Sequence, residues 1–348
     1  MTVRALVVDD SRTMQQLVSR ELQGSDAISV VGIASSAQEA RQMIKALDPD
    51  VVTLDIEMDG MSGLEFLERI MTLRPTPVVM VSSLTSEGAE ASLTALEIGA
   101  IGCFDKRDLS LRGEAGKSSL VDLVFTAAKA RTSPGFGNRA ARVHSPAQAK
   151  TATTYRARDR SVIGIGASTG GVETLIELLR NFPVDCPPTV IVQHMPESFT
   201  KSFADRLDRL CPPSVEEARP GAVLAPGKVY LAPGGLQHLE IAGDPSRLHC
   251  RLIEGDKMNG HRPSVDRLFH SLARFAGANA LGMILTGMGN DGAKGLLAMR
   301  NAGAMTLGQD QASSIVYGMP AEAFACGAVT EQLPLRRIGA RALEWCRA

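Results

Sequence analysis

Residues 162–171 read Val-Ile-Gly-Ile-Gly-Ala-Ser-Thr-Gly-Gly. A short β-branched run climbs into small residues around a single serine, the pattern of a strand, a tight turn and a helix start. Two functions share that architecture. Gly164 and Gly166 suit the phosphate turn of a dinucleotide fold, whereas Gly166-Ala167-Ser168-Thr169-Gly170 has the G-x-S-x-G spacing of a turn that exposes a nucleophile. Either reading predicts an α/β domain, and the residues at the neighbouring strand ends decide between them.

Outward from this stretch, strand-like runs recur at Val162–Ile165, Thr189–Val192, Val229–Leu231, Leu281–Leu285 and Met305–Leu307, with helical patterns between several of them. The section Val215–Ile253 reads as short strands and turns rich in Gly and Pro. A dinucleotide fold puts an acid after its second strand to bind ribose hydroxyls. Here that strand runs into Gln193-His194-Met195-Pro196, so a histidine stands where the acid would be. Leu281–Leu285 runs into Thr286-Gly287-Met288-Gly289-Asn290-Asp291-Gly292. Taken singly, Ser168 suits a helix N-cap, His194 a structural role, and Asp291 the cap of its own helix. Together they form a serine, a base and a carboxylate at parallel strand ends, and the nucleophile reading prevails. The chain order Ser, His, Asp differs from the Ser, Asp, His of α/β-hydrolases.

The first ~130 residues alternate in the same way, with strands at Ala5–Val8, Ser29–Ile33, Val51–Leu54, Val78–Val81 and Gly102–Phe104. Helical spacing marks Thr13–Leu22 and Leu64–Leu73. Carboxylates gather at the carboxyl ends of these strands, Asp9 and Asp10 after the first and Asp55 after the third. Three acids brought together require a cation, and an all-oxygen set suits a hard ion such as magnesium. Ser82 and Lys106 add a hydroxyl and a positive charge to the same rim.

The 348 residues thus divide into an α/β domain at 1–131, a flexible linker at 132–158 and a second α/β domain at 159–348. A formal net charge of only -1 gives no basic excess for nucleic acid. No apolar run is long enough to insert in a membrane, and Asp9 and Asp10 interrupt any secretory pattern. The six scattered cysteines have no metal-ligand spacing and read as reduced thiols of a cytoplasmic protein.

Val3 to Lys129 resembles the receiver domain of two-component response regulators, a flavodoxin-like (βα)5 fold. The resemblance implies that Asp55 accepts a phosphoryl group from a histidine kinase. It also implies that Asp9, Asp10, Asp55 and the backbone carbonyl of Glu57 hold Mg2+, and that Ser82 and Lys106 contact the phosphoryl oxygens. Two departures stand out: Met58 is followed by Asp59 where proline is frequent, and Lys106 by Arg107 where proline is usual.

From Ser161 onward the chain resembles the catalytic domain of the CheB protein-glutamate methylesterases. The resemblance rests on Gly-Ala-Ser-Thr-Gly-Gly at 166–171, Gln-His-Met-Pro at 193–196, Gly-His-Arg-Pro-Ser-Val-Asp at 260–266 and Leu-Thr-Gly-Met-Gly-Asn-Asp-Gly at 285–292. It implies a doubly wound α/β/α domain with a mainly parallel sheet, and catalysis by Ser168, His194 and Asp291 without a cofactor. Amides near Thr169 and Met288 would hold the oxyanion, and Arg262 with Pro263–Asp266 would line the cleft or start a helix. The implied substrates are glutamate methyl esters of chemoreceptors in chemotaxis adaptation, with methanol released and often deamidation of receptor glutamines. The implied partners are methylated chemoreceptors and the chemotaxis kinase. A non-catalytic, receiver-linked scaffold that binds receptors or kinase is the alternative.

Overall fold

The computed structural model describes residues 2–83, 86–110, 120–131 and 155–348. The chain divides into two units, Met1–Ser145 and Pro146–Ala348.

In the first unit β1 (Val3–Val8), β2 (Ile28–Ala34), β3 (Val51–Asp55), β4 (Val78–Ser82) and β5 (Gly102–Asp105) form a parallel sheet in the order β2-β1-β3-β4-β5. Helices α1 (Arg12–Gln23), α2 (Ala37–Leu47), α3 (Gly63–Leu73), α4 (Ser86–Ile98) and α5 (Leu120–Ala130) connect or follow them. The expected flavodoxin-like order is the one observed. Every residue of β3 and β4 is buried, so these central strands read as continuous rather than alternating apolar runs. Ser11, Ser36 and Ser62 start the first three helices, each accepting a bond from an amide three residues on. These short βα turns set the strand ends, and the acids on them, at one edge of the sheet.

The second unit is built on a seven-stranded, wholly parallel sheet. Its strands are β6 (Val162–Ala167), β7 (Thr189–Gln193), β8 (Ser214–Glu217), β9 (Lys228–Leu231), β12 (Ala280–Ile284), β13 (Met305–Gln309) and β14 (Glu331–Leu333). Their order is β14-β13-β12-β6-β7-β9-β8. Helices α6 (Gly171–Leu179), α7 (Glu197–Leu210), α8 (Val265–Phe275), α9 (Ala293–Asn301), α10 (Met319–Ala325) and α11 (Leu335–Trp345) complete it. The chain order reverses at β6, whose neighbours are β7 on one side and β12 on the other. In an open parallel sheet that reversal opens a crevice at the carboxyl ends.

The glycines of the opening stretch have a packing role here. A Cβ on Gly166 would lie 2.2 Å from Val265 Cγ1, and one on Gly164 2.2 Å from Leu272 Cδ1. Both strand glycines therefore make room for α8 to lie directly on β6. Val265, Leu268, Phe269 and Leu272 of that helix are buried in a core shared with Val162, Val190, Leu239 and Leu296.

The structure departs from expectation in three places. The section read as short strands and turns contains an antiparallel pair of eight-residue strands, β10 (Gln237–Asp244) and β11 (Arg247–Glu254); β10 is buried from His238 to Ala242 and packs against α8. The edge strand β14 was not expected, because Glu331-Gln332-Leu333 is short and polar. The linker expected at 132–158 is also too long at its end. Tyr155 is buried and donates its hydroxyl to Leu343 O at 2.7 Å, and Ala157 bridges Arg347. The Arg158 guanidinium lies 4.1 Å from the Trp345 ring centroid. Residues 155–158 thus belong to the second unit, while 132–154 lie outside the described residues.

Candidate active site

Ser168, His194 and Asp291 converge at the carboxyl edge of the second sheet. Ser168 follows β6 and His194 follows the adjacent β7, and the ladder runs past both strands into His194 N donating to Ala167 O at 3.0 Å. On the other side Ser168 N donates to Thr286 O, also at 3.0 Å. Gly287 lets the loop after β12 come this close, since a Cβ there would lie 2.7 Å from Ser168 Cβ. Gln193 Nε2 donates to Ser168 O at 2.9 Å and to His194 O at 3.1 Å, tying the serine turn to the histidine turn.

Asp291 is fully buried and accepts bonds from four residues besides His194. Its Oδ1 takes Ser264 Oγ at 2.8 Å, Asn259 Nδ2 at 3.1 Å and Asp266 N at 3.2 Å. Its Oδ2 takes Val265 N at 2.7 Å and faces His194 Nε2 at 2.8 Å. Burial alone would raise this carboxyl, but the His194, Asn259 and Ser264 bonds overcome it and hold it well below the usual carboxylate range. The amides belong to the first turn of α8, whose dipole also favours a negative charge there.

An ionised Asp291 can only accept, so His194 Nε2 carries the proton. The Nδ1 atom of His194 is then the lone-pair nitrogen; it is buried and has no hydrogen-bond partner among the described residues. The arrangement thus supplies a base whose tautomer is fixed by a buried anion, one strand away from a serine on a tight turn.

Thr169 follows the serine and Met288, 41% exposed, lies on the facing loop, so both expected oxyanion segments reach the rim. Arg262 braces two loops. Its Nε and Nη1 each donate at 2.7 Å, to Gly235 O and Gly255 O, binding the loops on either side of the β10–β11 pair. Pro263–Asp266 starts α8, with Ser264 as its N-cap, and Asp266 accepts from Gly295 N at 2.6 Å.

In the first unit one carboxylate oxygen from each of Asp9, Asp10 and Asp55 lies within 4.8 Å of the other two. Lys106 Nζ stands 2.6 Å from Asp55 Oδ2 and 3.0 Å from Asp9 Oδ2. Burial raises Asp55 to about 6 despite the lysine. Burial also opposes the charge on Lys106, but its bonds to Asp55 and Asp9 outweigh that and hold it above its ordinary value. Three acids this close, Asp9 and Asp55 buried and Asp10 half-buried, with oxygen donors alone, fit a hard divalent cation. Glu57 lines the same open cleft, and its amide donates to Asp55 Oδ1 at 3.3 Å. Ser82 ends β4 beside β3 and is buried. Arg107 turns its guanidinium to Asp105 and leaves Lys106 on the acids, so this departure from the receiver pattern displaces no chemical group.

Residues 163–342 match the sequence profile of the CheB methylesterase family, over half of the chain. The chain belongs to the CheB methylesterase family. Residues 5–110 also match the response regulator receiver domain. Among curated relatives, a protein-glutamate methylesterase/protein-glutamine glutaminase of Agrobacterium fabrum is 56% identical over 98% of this chain and 96% of its own length. One from Caulobacter vibrioides is 53% identical over 99% and 98%. The CheB methylesterase catalytic domain of Thermotoga maritima, a crystal structure, aligns with TM-score 0.52 at 36% identity, covering 53% of this chain and 98% of that one.

Some residues of this CheB site were not singled out in the sequence. Ser264 lies inside the 260–266 motif as a recognisable helix cap, and Gln193 precedes His194, but neither spacing reveals what the side chain touches. Asn259 adopts φ 51° in a loop and gives no sequence signal at all.

Proposed function

We propose that this chain is a phosphorylation-activated serine esterase that hydrolyses glutamate methyl esters on chemoreceptors, with Ser168 as nucleophile, His194 as base and Asp291 as its orienting carboxylate. The observation that carries this reading is the His194–Asp291 bond of 2.8 Å with His194 Nδ1 left as a buried acceptor. As Ser168 Oγ attacks the ester carbonyl carbon, Cδ of the glutamate, Nδ1 takes its proton and the carbonyl oxygen becomes an oxyanion. Amides near Thr169 and Met288 receive that charge, each such donor worth about 3 kcal/mol of barrier. The imidazolium, stabilised by Asp291, returns its proton to the leaving methoxide, the carbon–oxygen bond breaks and methanol departs. Water then gives a proton to Nδ1 and its oxygen to the acyl group, releasing glutamate and Ser168. Deamidation follows the same path with ammonia leaving, in keeping with the glutaminase half of the relatives' name.

In the receiver unit Asp55 is the phosphoryl acceptor. Asp9, Asp10, Asp55 and the Glu57 carbonyl would hold Mg2+, which offsets charge on the phosphoryl oxygens when bound. Ser82 and Lys106 meet those oxygens and link phosphorylation to a change of shape. The donor is a chemotaxis histidine kinase, and the setting is the cytoplasm. No helix among the described residues is long and apolar enough to cross a membrane. The comparisons offer nothing for a non-catalytic scaffold.

Membranes carrying methylated receptors, incubated with the full chain, test this directly. The wild-type protein is expected to release methanol and Ser168→Ala none, while both bind receptor equally. Methanol release by Ser168→Ala at a near-normal rate contradicts the mechanism.

A further inference from the structure

His261 has no part in the chemistry above, yet it lies flat on the base. Its ring centroid is 3.7 Å from that of His194, with the planes 7° apart. The backbone beneath it is held firmly. His261 and Met258 exchange both of their backbone hydrogen bonds, at 2.9 and 3.0 Å. On one side Arg262 is bonded to two carbonyls, and on the other Asn259 is bonded to Asp291 and Asp266. The stacked ring is therefore mounted on a loop that cannot easily withdraw.

The stack does something that the carboxylate cannot. Asp291 holds His194 at Nε2 alone, and one bond at one corner leaves a ring free to tilt about that contact. A tilt redirects Nδ1, the nitrogen that takes the Ser168 proton in the mechanism proposed above. We infer that His261 is a positioning residue, a flat aromatic plate that fixes the plane of His194 and so aims Nδ1 during proton transfer. The inference rests on the Ser168–His194–Asp291 reading and assigns a further residue to it.

The plate must also tolerate the positive charge that His194 takes on. A neutral aromatic face does so, whereas a second imidazolium would oppose it. The ionisable groups acting on His261 are His194, Asp291 and Lys257. Burial first, then His194 and Lys257, push His261 down to about 4 against the pull of Asp291, so the plate is neutral at ordinary pH.

Steady-state methanol release from methylated receptor membranes separates this role from simple packing. The full chain is used with magnesium and a small phosphodonor. His261→Ala is expected to lower kcat by roughly tenfold to a hundredfold, the cost of misaligned reacting groups, with KM unchanged. His261→Phe, which restores a flat ring without a titrating nitrogen, should recover most of the loss. His261→Leu, which fills the space without a plane, should not. Equal recovery by Leu and Phe, a loss confined to KM, or full activity in the Ala protein would overturn the inference. If thermal melting shows the Ala protein unfolded, the Phe and Leu proteins still decide. An inactive wild-type protein would remove the esterase reading itself, whereas an active one matched by all three variants removes only the plate.

Discussion

Asp291 concentrates much of the site's chemistry in one side chain. Its donors come from Asn259, Ser264, the first turn of α8 and His194, so it both organises the loop at 259–266 and sets the tautomer of His194. Asp291→Asn is expected to lower kcat by about four orders of magnitude by presenting a donor where His194 needs an acceptor. Methanol-release kinetics at saturating substrate will show it, and a loss of less than tenfold would deny the carboxylate this role. His261 supplies a pH signature of its own. Its folded value of about 4 lies below its ordinary 6.5, so the unfolded chain binds more protons between those values. The stability it contributes is complete above about pH 6.5 and is lost as pH falls towards 4. His261→Phe removes this dependence. Its melting temperature should therefore fall less than that of the wild type between pH 7 and pH 5, by fluorescence of Trp345, the only tryptophan. Parallel declines would contradict the assignment.

At the scale of elements, the start of α8 is what β6 and Asp291 share. Gly166 lets Val265 sit on the strand, and Val265 N then reaches Asp291. Gly166→Ala should push α8 outward, costing about 1–3 kcal/mol of stability, as overpacking does, and slowing the esterase further than the lost stability explains. Urea unfolding followed by Trp345, beside the methanol assay, checks both, and an unchanged midpoint would refute the packing role. The same elements show what could be read in advance. Strand ends were legible because β-branched runs stop at residues with reactive side chains, which placed Ser168, His194, Asp291, Asp9 and Asp55 on two rims before any coordinates. The two strand glycines alone left phosphate binding open until the neighbouring strand ends decided against it, because a glycine facing a helix and one facing a ligand look alike in one dimension. The β10–β11 pair fell within a section read as short strands and turns, where Gly243 and Asp244-Pro245 interrupt the pattern. His261 could not be found at all. A face-to-face contact between rings 67 positions apart exists only once two loops have met.

At the scale of the whole chain, a phosphorylatable unit and an esterase unit share one polypeptide, and the second begins earlier than its polar sequence suggested. The Tyr155 hydroxyl, the bridge from Ala157 to Arg347 and the stack of Arg158 on Trp345 tie its first residues to its last helix and the residues just after it. A fragment starting at Tyr155 should melt higher than one starting at Ser161, and equal melting would show that these contacts add nothing. Phosphorylation at Asp55 is expected to drive hydrolysis at Ser168. The most direct measurement is methanol release by the full chain on methylated receptor membranes, with magnesium and with or without a small phosphodonor, set beside Asp55→Ala. The donor is expected to raise the wild-type rate and to leave the Asp55→Ala rate at its basal level. An equal rise in the Asp55→Ala protein would contradict the account.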